Sequence, residues 1–199
     1  MYNYRVIIFK VISAILASVL GAIFFIPYIR NIFARKTEPH IYSWLIWSIL
    51  QMVGTIIMFR GGARLGVLWL FIESLSCFFV FLLSFKYGTK NITKFDTICL
   101  FGALIAIFIY VFLHNPLLSI ITISLIDFVG FLPTFRKSYE EPQTETASVY
   151  IASAFSYIFG ILALSSYTLT TTFYLTSLMI TNATCWLIIV LRRRKLRLK

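Results

Sequence analysis

The stretch FIPYIRNIFARKTEPHIYSW, residues 25–44, leaves one strongly apolar segment, passes a proline and a basic turn, and enters a second apolar segment. A counterpart, FLPTFRKSYEEPQTETASVY, occupies residues 131–150. Pro27 and Pro133 stand 106 residues apart, as do Arg30 and Arg136. Thr37–Glu38 and Thr144–Glu145 stand 107 apart, as if one loop carried an extra residue. Both copies end a long apolar run, cross a polar loop and start the next run through Ser and Tyr. An echo of this kind points to a duplicated unit.

The surrounding composition says which solvent that unit meets. Of 199 residues, 60% are hydrophobic and 13% charged, with a mean hydropathy of +0.90. A water-soluble domain of this length needs more polar surface, so part of the solvent is lipid. A bilayer-spanning helix takes roughly 20 apolar residues. Seven such runs can be read, at about 6–29, 41–59, 65–85, 95–113, 116–136, 147–166 and 170–191. They use most of the chain and leave no separate soluble domain. The first is too long for a signal-peptide core and lacks an A-x-A-like cleavage site, so it is read as a helix. A β-barrel would alternate apolar and polar residues, and LFGALIAIFIYVFL at 100–113 does not. The expected fold is an all-α membrane protein of seven transmembrane helices.

The net charge of +11 would point to nucleic acid in a soluble protein; here the loops explain it and no nucleic-acid partner is expected. With seven spans, one side of the membrane holds Arg5, Lys10, Arg60 and Arg64. The other holds Arg30, Arg35, Lys36, Lys86, Lys90, Lys94, Arg136, Lys137 and six basic residues of the tail RRRKLRLK. The positive-inside rule makes the second side cytoplasmic. The N-terminus is then outside and the C-terminus inside, with a bacterial inner membrane as the expected location. The tail reads as a topology anchor able to touch anionic headgroups.

The echo divides the chain into a first triple-helix unit at 1–92, a linker helix at 93–114 and a second unit at 115–199. Three helices per unit and one between them give both copies the same orientation, a parallel repeat of the kind whose substrate site lies between units. Proline removes a backbone donor and clashes with the preceding turn. Pro27 and Pro133 are therefore candidate hinges or gates near the cytoplasmic ends of their helices. The plainer alternative is that each proline stops its helix at the membrane surface.

At these residues the chain resembles the PQ-loop superfamily, which includes the SWEET-type sugar transporters. That family carries Pro-Gln near the inner end of the first helix of each unit, followed by a basic loop and a Ser-containing helix start. Here the pairs read Pro27-Tyr28 and Pro133-Thr134, with the glutamine replaced in both. The literal Pro142-Gln143 lies in the following loop, and the second helix of each unit has no proline. The resemblance implies the 3+1+3 plan and transport by alternating access. It also implies that Asn182, on the third helix of the second unit, faces a central pocket. The 106-residue offset makes Ser76 its partner in the first unit.

Two acidic residues fall inside spans, Glu73 in WLFIESLSCF and Asp127 in ISLIDFVGFLP. An acid in a membrane interior is costly to insert and marks an ion or substrate pathway by default. Removal from water disfavours its charged form, so both are candidates for proton coupling, the alternative being a protonated packing acid. Glu73 lies one turn before Ser76 and can share its face. An acid on one side of a pocket and the Asn182 amide on the other would suit a cationic or zwitterionic solute. Trp186 lies one turn beyond Asn182, and Trp47 and Gln51 lie on the second helix; all three join the expected substrate-binding set. Trp44 reads as interfacial belt, and Cys77, Cys99 and Cys185 as small packing residues.

Enzyme signatures are absent. His40 and His114 fall at loop positions without metal-ligand companions, and neither a metal nor a cofactor is expected. The leading expectation is a transporter of a small polar solute (a sugar, amino acid or nucleoside-like molecule), driven where coupled by protons, in a lipid bilayer and open to homo-oligomerisation. A vitamin-precursor facilitator similar to the nicotinamide riboside carriers is an alternative, since WLIW at 44–47 resembles their W-x-x-W feature. A membrane receptor of the same fold is another.

Overall fold

The computed structural model describes residues 4–63, 67–110 and 115–197. His114 and Arg64 therefore lie outside the described residues. Among the described residues every regular element is helical: α1 Tyr4–Phe33, α2 Ile41–Arg60, α3 Leu68–Tyr87, α4 Lys94–Tyr110, α5 Pro116–Glu140, α6 Ala147–Ala163 and α7 Leu169–Arg197, with a short 3-10 turn at Pro142–Thr144. Five helices, α1, α2, α3, α5 and α7, are long and apolar enough to cross a membrane. α6 is apolar but has 17 residues, which at 1.5 Å each gives about 26 Å. α4 is likewise described over 17 residues. This set suits an integral multi-pass membrane protein.

Local chemistry places several helix ends. Asn115 caps α5, its Oδ1 accepting from the Leu117 and Leu118 amides at 2.9 and 3.1 Å, with Pro116 in the first turn where a missing N–H costs nothing. At the start of α4, Thr93 and Asp96 bond reciprocally to each other's backbone amides, a capping box. α2 stops at Gly61-Gly62, where Gly62 takes a φ of +90°. Neither proline ends its helix: α1 continues from Pro27 to Phe33 and α5 from Pro133 to Glu140.

The helices pack in a repeated order. α3 lies against both α1 and α2, and α7 against both α5 and α6; α1 packs on α6 and α2 on α5. α4 rests on α5 and α2. Two close crossings link the halves reciprocally. A Cβ on Gly54 of α2 would collide with the Tyr174 ring of α7, and one on Gly160 of α6 would meet Trp69 Nε1 of α3 at 2.6 Å. The glycines stand 106 residues apart and the aromatics 105. Exposed apolar side chains such as Phe9, Ile12, Ile98, Phe108 and Leu125 cover the outside, while Gln51, Glu73, Asp127 and Asn182 are buried inside. That inverted pattern is what a lipid solvent requires.

At one end the loops after α1, α3 and α5 are knitted together. The Glu38 amide donates to Thr144 O at 3.0 Å, and the Thr89 amide to Pro39 O at 3.1 Å. Asn31 of α1 reaches Thr146 Oγ1 at 3.0 Å, while Lys137 of α5, 106 residues later, reaches Glu38 O at 2.7 Å. Each half thus grips the other's loop.

Candidate functional site

The centre of the bundle holds a small cavity of about 20 Å³, measured as space open to the centre of a water molecule. That is room for about one water. Its polar lining comprises Gln51 of α2, Glu73 of α3, Tyr150, Ser153 and Tyr157 of α6, and Asn182 of α7. Phe25 of α1, Trp44 and Trp47 of α2 and Phe131 of α5 add four aromatic rings, and Cys77 and Val149 complete it. All six helices other than α4 contribute.

The numbering of this lining repeats the sequence echo. Phe25 pairs with Phe131, Trp44 with Tyr150, Trp47 with Ser153 and Gln51 with Tyr157, each 106 residues apart. Cys77 pairs with Asn182 at 105. The two halves of the chain supply matching positions around one space, with different side chains at every pair except Phe25 and Phe131.

The polar groups here are incompletely satisfied. Ser153 Oγ donates to Glu73 Oε1 at 3.3 Å, Cys77 Sγ lies 3.6 Å from Gln51 Oε1, and Asn182 Nδ2 donates to Leu178 O at 2.9 Å. Glu73 Oε2 and the indole N–H groups of Trp44 and Trp47 are buried without a hydrogen bond. The Tyr157 hydroxyl is also buried without a hydrogen bond. Asp127 of α5 is fully buried with neither carboxyl oxygen partnered. The buried hydroxyl of Tyr174 on α7 is also unpartnered. Buried polar groups are normally paired, so this concentration of unpartnered groups makes the cavity the candidate site.

The knitted end differs, being almost fully satisfied. The Lys137 ammonium donates to Glu38 O, Thr144 O and Glu145 Oε1 at 2.7, 2.8 and 2.9 Å. Tyr150, a cavity residue, donates its hydroxyl to the other Glu145 oxygen at 3.2 Å, joining cavity to loops. Beside it Arg136 grips Asp96 through Nε and Nη2 at 3.0 and 2.7 Å and also contacts Asn91 and Glu140. His40 Nε2 lies 3.3 Å from Asp96 Oδ2. Burial holds His40 below the ordinary histidine pKa, with the Asp96 carboxylate pulling the other way.

Of the residues expected from sequence, Trp47, Gln51, Glu73 and Asn182 line the cavity, and Asp127 lies buried beyond its lining. Ser76 does not line it: its hydroxyl bonds back to Ile72 O at 3.0 Å, and Cys77 takes the place opposite Asn182. The reason is a one-residue slip, because the third helices follow an offset of 105 where the first two follow 106. Trp186 packs half-buried against the cluster containing Trp44 and Tyr150 and does not line the cavity. Trp44 is a cavity residue, buried against Tyr28 and Trp47 at ring separations of 5.1 and 5.0 Å, instead of an interfacial belt. Among the described residues no three His, Cys, Asp or Glu side chains gather as a metal site. Comparisons with protein-family models, with curated proteins and with solved structures give no match to this chain.

Proposed function

We propose that this chain is a membrane transporter for a small polar solute, working by alternating access between two parallel triple-helix units, α1–α3 and α5–α7, with α4 as the linker. The observation that carries the reading is the cavity lining, in which five pairs of residues at offsets of 106 and 105 surround one space. A site shared between repeated units is where rocking of one unit against the other exposes it first to one side and then to the other. The knitted loop end is the closed gate, and by its basic residues it faces the cytoplasm. Pro27 and Pro133, within continuous helices, are the flexible points through which that gate opens. The water-sized cavity represents the closed stage of the cycle, and larger solutes enter after the units separate. Glu73 and Asp127 carry the coupling proton. The architecture resembles the PQ-loop superfamily, with both glutamines replaced.

The edge-to-face pair Trp44–Trp47 at the cavity favours one second reading, a facilitator of an aromatic vitamin precursor of the nicotinamide riboside type. Reconstitution into proteoliposomes and uptake of sugars, amino acids, nucleosides, small amines and nicotinamide riboside, with and without a proton gradient, tests both. Uptake of any of these that is lost in Asn182→Leu supports the site. Absence of uptake across the whole panel, by a protein shown to be folded, overturns the transporter reading.

A further inference from the structure

The cavity lining has one carboxyl, Glu73, and among the described residues no Lys, Arg or His. The buried cation behind Tyr150, Lys137, is fully committed to Glu145 and two backbone carbonyls. A solute carboxylate or phosphate brought here would meet an acid and no compensating positive charge, which low-dielectric surroundings make prohibitive. A zwitterionic amino acid is disfavoured on the same ground. A cation, in contrast, meets Glu73, whose Oε2 is buried and unpartnered, and an aromatic wall that includes Trp44 and Trp47. Aromatic rings attract ammonium groups through their quadrupoles, most strongly where water is excluded. The unpartnered indole N–H groups of the two tryptophans supply donors for an oxygen on the same molecule.

Resting on the transporter reading of this cavity, we infer that the solute is a small organic cation lacking any acidic group, an amine or amino alcohol whose charge is countered by Glu73 after that carboxyl has released its coupling proton. The closed cavity, about one water in size, matches an ammonium group itself, so the charged head is the part held at this stage. Gln51 and Asn182, which also line the cavity, then contact the remainder of the molecule.

The test is thermal stabilisation of the purified full chain in detergent by ethanolamine, choline, ammonium, alanine, glucose and uridine. The expected result is a concentration-dependent rise in Tm with the three cations and none with alanine, glucose or uridine. Glu73→Gln should weaken the response by about tenfold or more, as loss of a charge-assisted contact does. Should that variant fold poorly, Trp47→Leu is expected to weaken amine binding about three- to tenfold, with Trp47→Phe restoring most of it. Stabilisation by glucose, uridine or alanine that Glu73→Gln leaves unchanged would overturn the cation assignment while keeping the cavity as a solute site. No stabilisation by any probe, together with no uptake in proteoliposomes, overturns both.

Discussion

Lys137 Nζ lies 2.9 Å from Glu145 Oε1, and neither side chain reaches solvent. The same ammonium binds the Glu38 and Thr144 carbonyls, so one buried cation ties the loop after α1 to the loop after α5. Lys137→Met leaves Glu145 without its charge partner, and losing one member of a buried pair costs about 3–5 kcal/mol. Lys137→Met/Glu145→Leu is expected to recover part of this, because an apolar pair can replace a buried ion pair. The residual deficit should be about 1–3 kcal/mol, from the Glu38 carbonyl left without a donor. Denaturant unfolding in detergent measures both variants against wild type, and a double mutant no more stable than the single one would refute the pairing.

Gly54 and Gly160 are the points where α2 meets α7 and α6 meets α3. Gly160→Ala puts a methyl within 2.6 Å of Trp69 Nε1, and Gly54→Ala drives one into the Tyr174 ring. Each is expected to destabilise by about 1–3 kcal/mol through overpacking. Gly102→Ala on α4 meets nothing within 4 Å and should be neutral or gain up to about 1 kcal/mol from helix propensity. Thermal melts of the three proteins check the ordering, and equal effects would contradict the reciprocal crossings.

The helices and their order were legible because lipid-facing helices are apolar along long runs. Their ends were less so: α1, α5 and α7 extend past the apolar runs, with Arg30 exposed in the last turn of α1 and with Lys137 and Arg192 bonded to backbone carbonyls. Four of the twelve cavity-lining residues were also legible. Trp47, Gln51, Glu73 and Asn182 stood out as polar or aromatic residues in apolar spans. Tyr150, Ser153 and Tyr157 were missed, although the 106-residue offset leads to them from Trp44, Trp47 and Gln51. Their spacing of three and four also puts them on one face of α6. Cys77 could not be preferred to Ser76 without knowing that the third helices slip by one residue, which packing decides and local sequence does not. Asp127 was visible as a buried acid, but its lack of any partner depends on neighbours from other helices.

Pro133 removes the N–H that would bond to Val129 O. The next carbonyl, Gly130 O, accepts from Ser43 Oγ of α2 at 2.7 Å, a side-chain clasp of the kind that satisfies a broken helix in lipid. Ser43→Ala should destabilise by about 1 kcal/mol and speed opening of the gate. Pro133→Ala should stiffen α5 and slow solute exchange without loss of folding. Stopped-flow exchange in proteoliposomes follows both, and an unchanged rate in Pro133→Ala would exclude a hinge there.

His40 sits outside the spans, facing Asp96 of α4 and Arg136 of α5, with Lys137 also close enough to act on it. Its pKa in the folded protein is lowered, chiefly by burial, so the unfolded chain binds a proton here that the folded chain resists. Stability is then full above the ordinary histidine value of about 6.5 and falls as pH drops below it. Under the proposed alternating-access cycle, opening of the loop end would expose His40 in the same way, and mild acid would favour that opening. In His40→Gln the fall in stability between about pH 6.5 and 5 should be reduced. Melts across that range, compared with wild type, check the sign.

Asp127 is buried with two unpartnered oxygens, an arrangement that folding alone does not favour. Asp127→Asn keeps the shape and polarity but removes the ionisable proton, so the variant should fold about as well as wild type, within about 1 kcal/mol. If the residue carries the coupling proton, the same variant loses uptake driven by a pH gradient while retaining exchange of solute across the membrane. A packing acid predicts the reverse: lower stability and an unaltered response to the gradient. Uptake and counterflow measured on one reconstituted preparation separate the two roles, because only coupling distinguishes net driven transport from exchange.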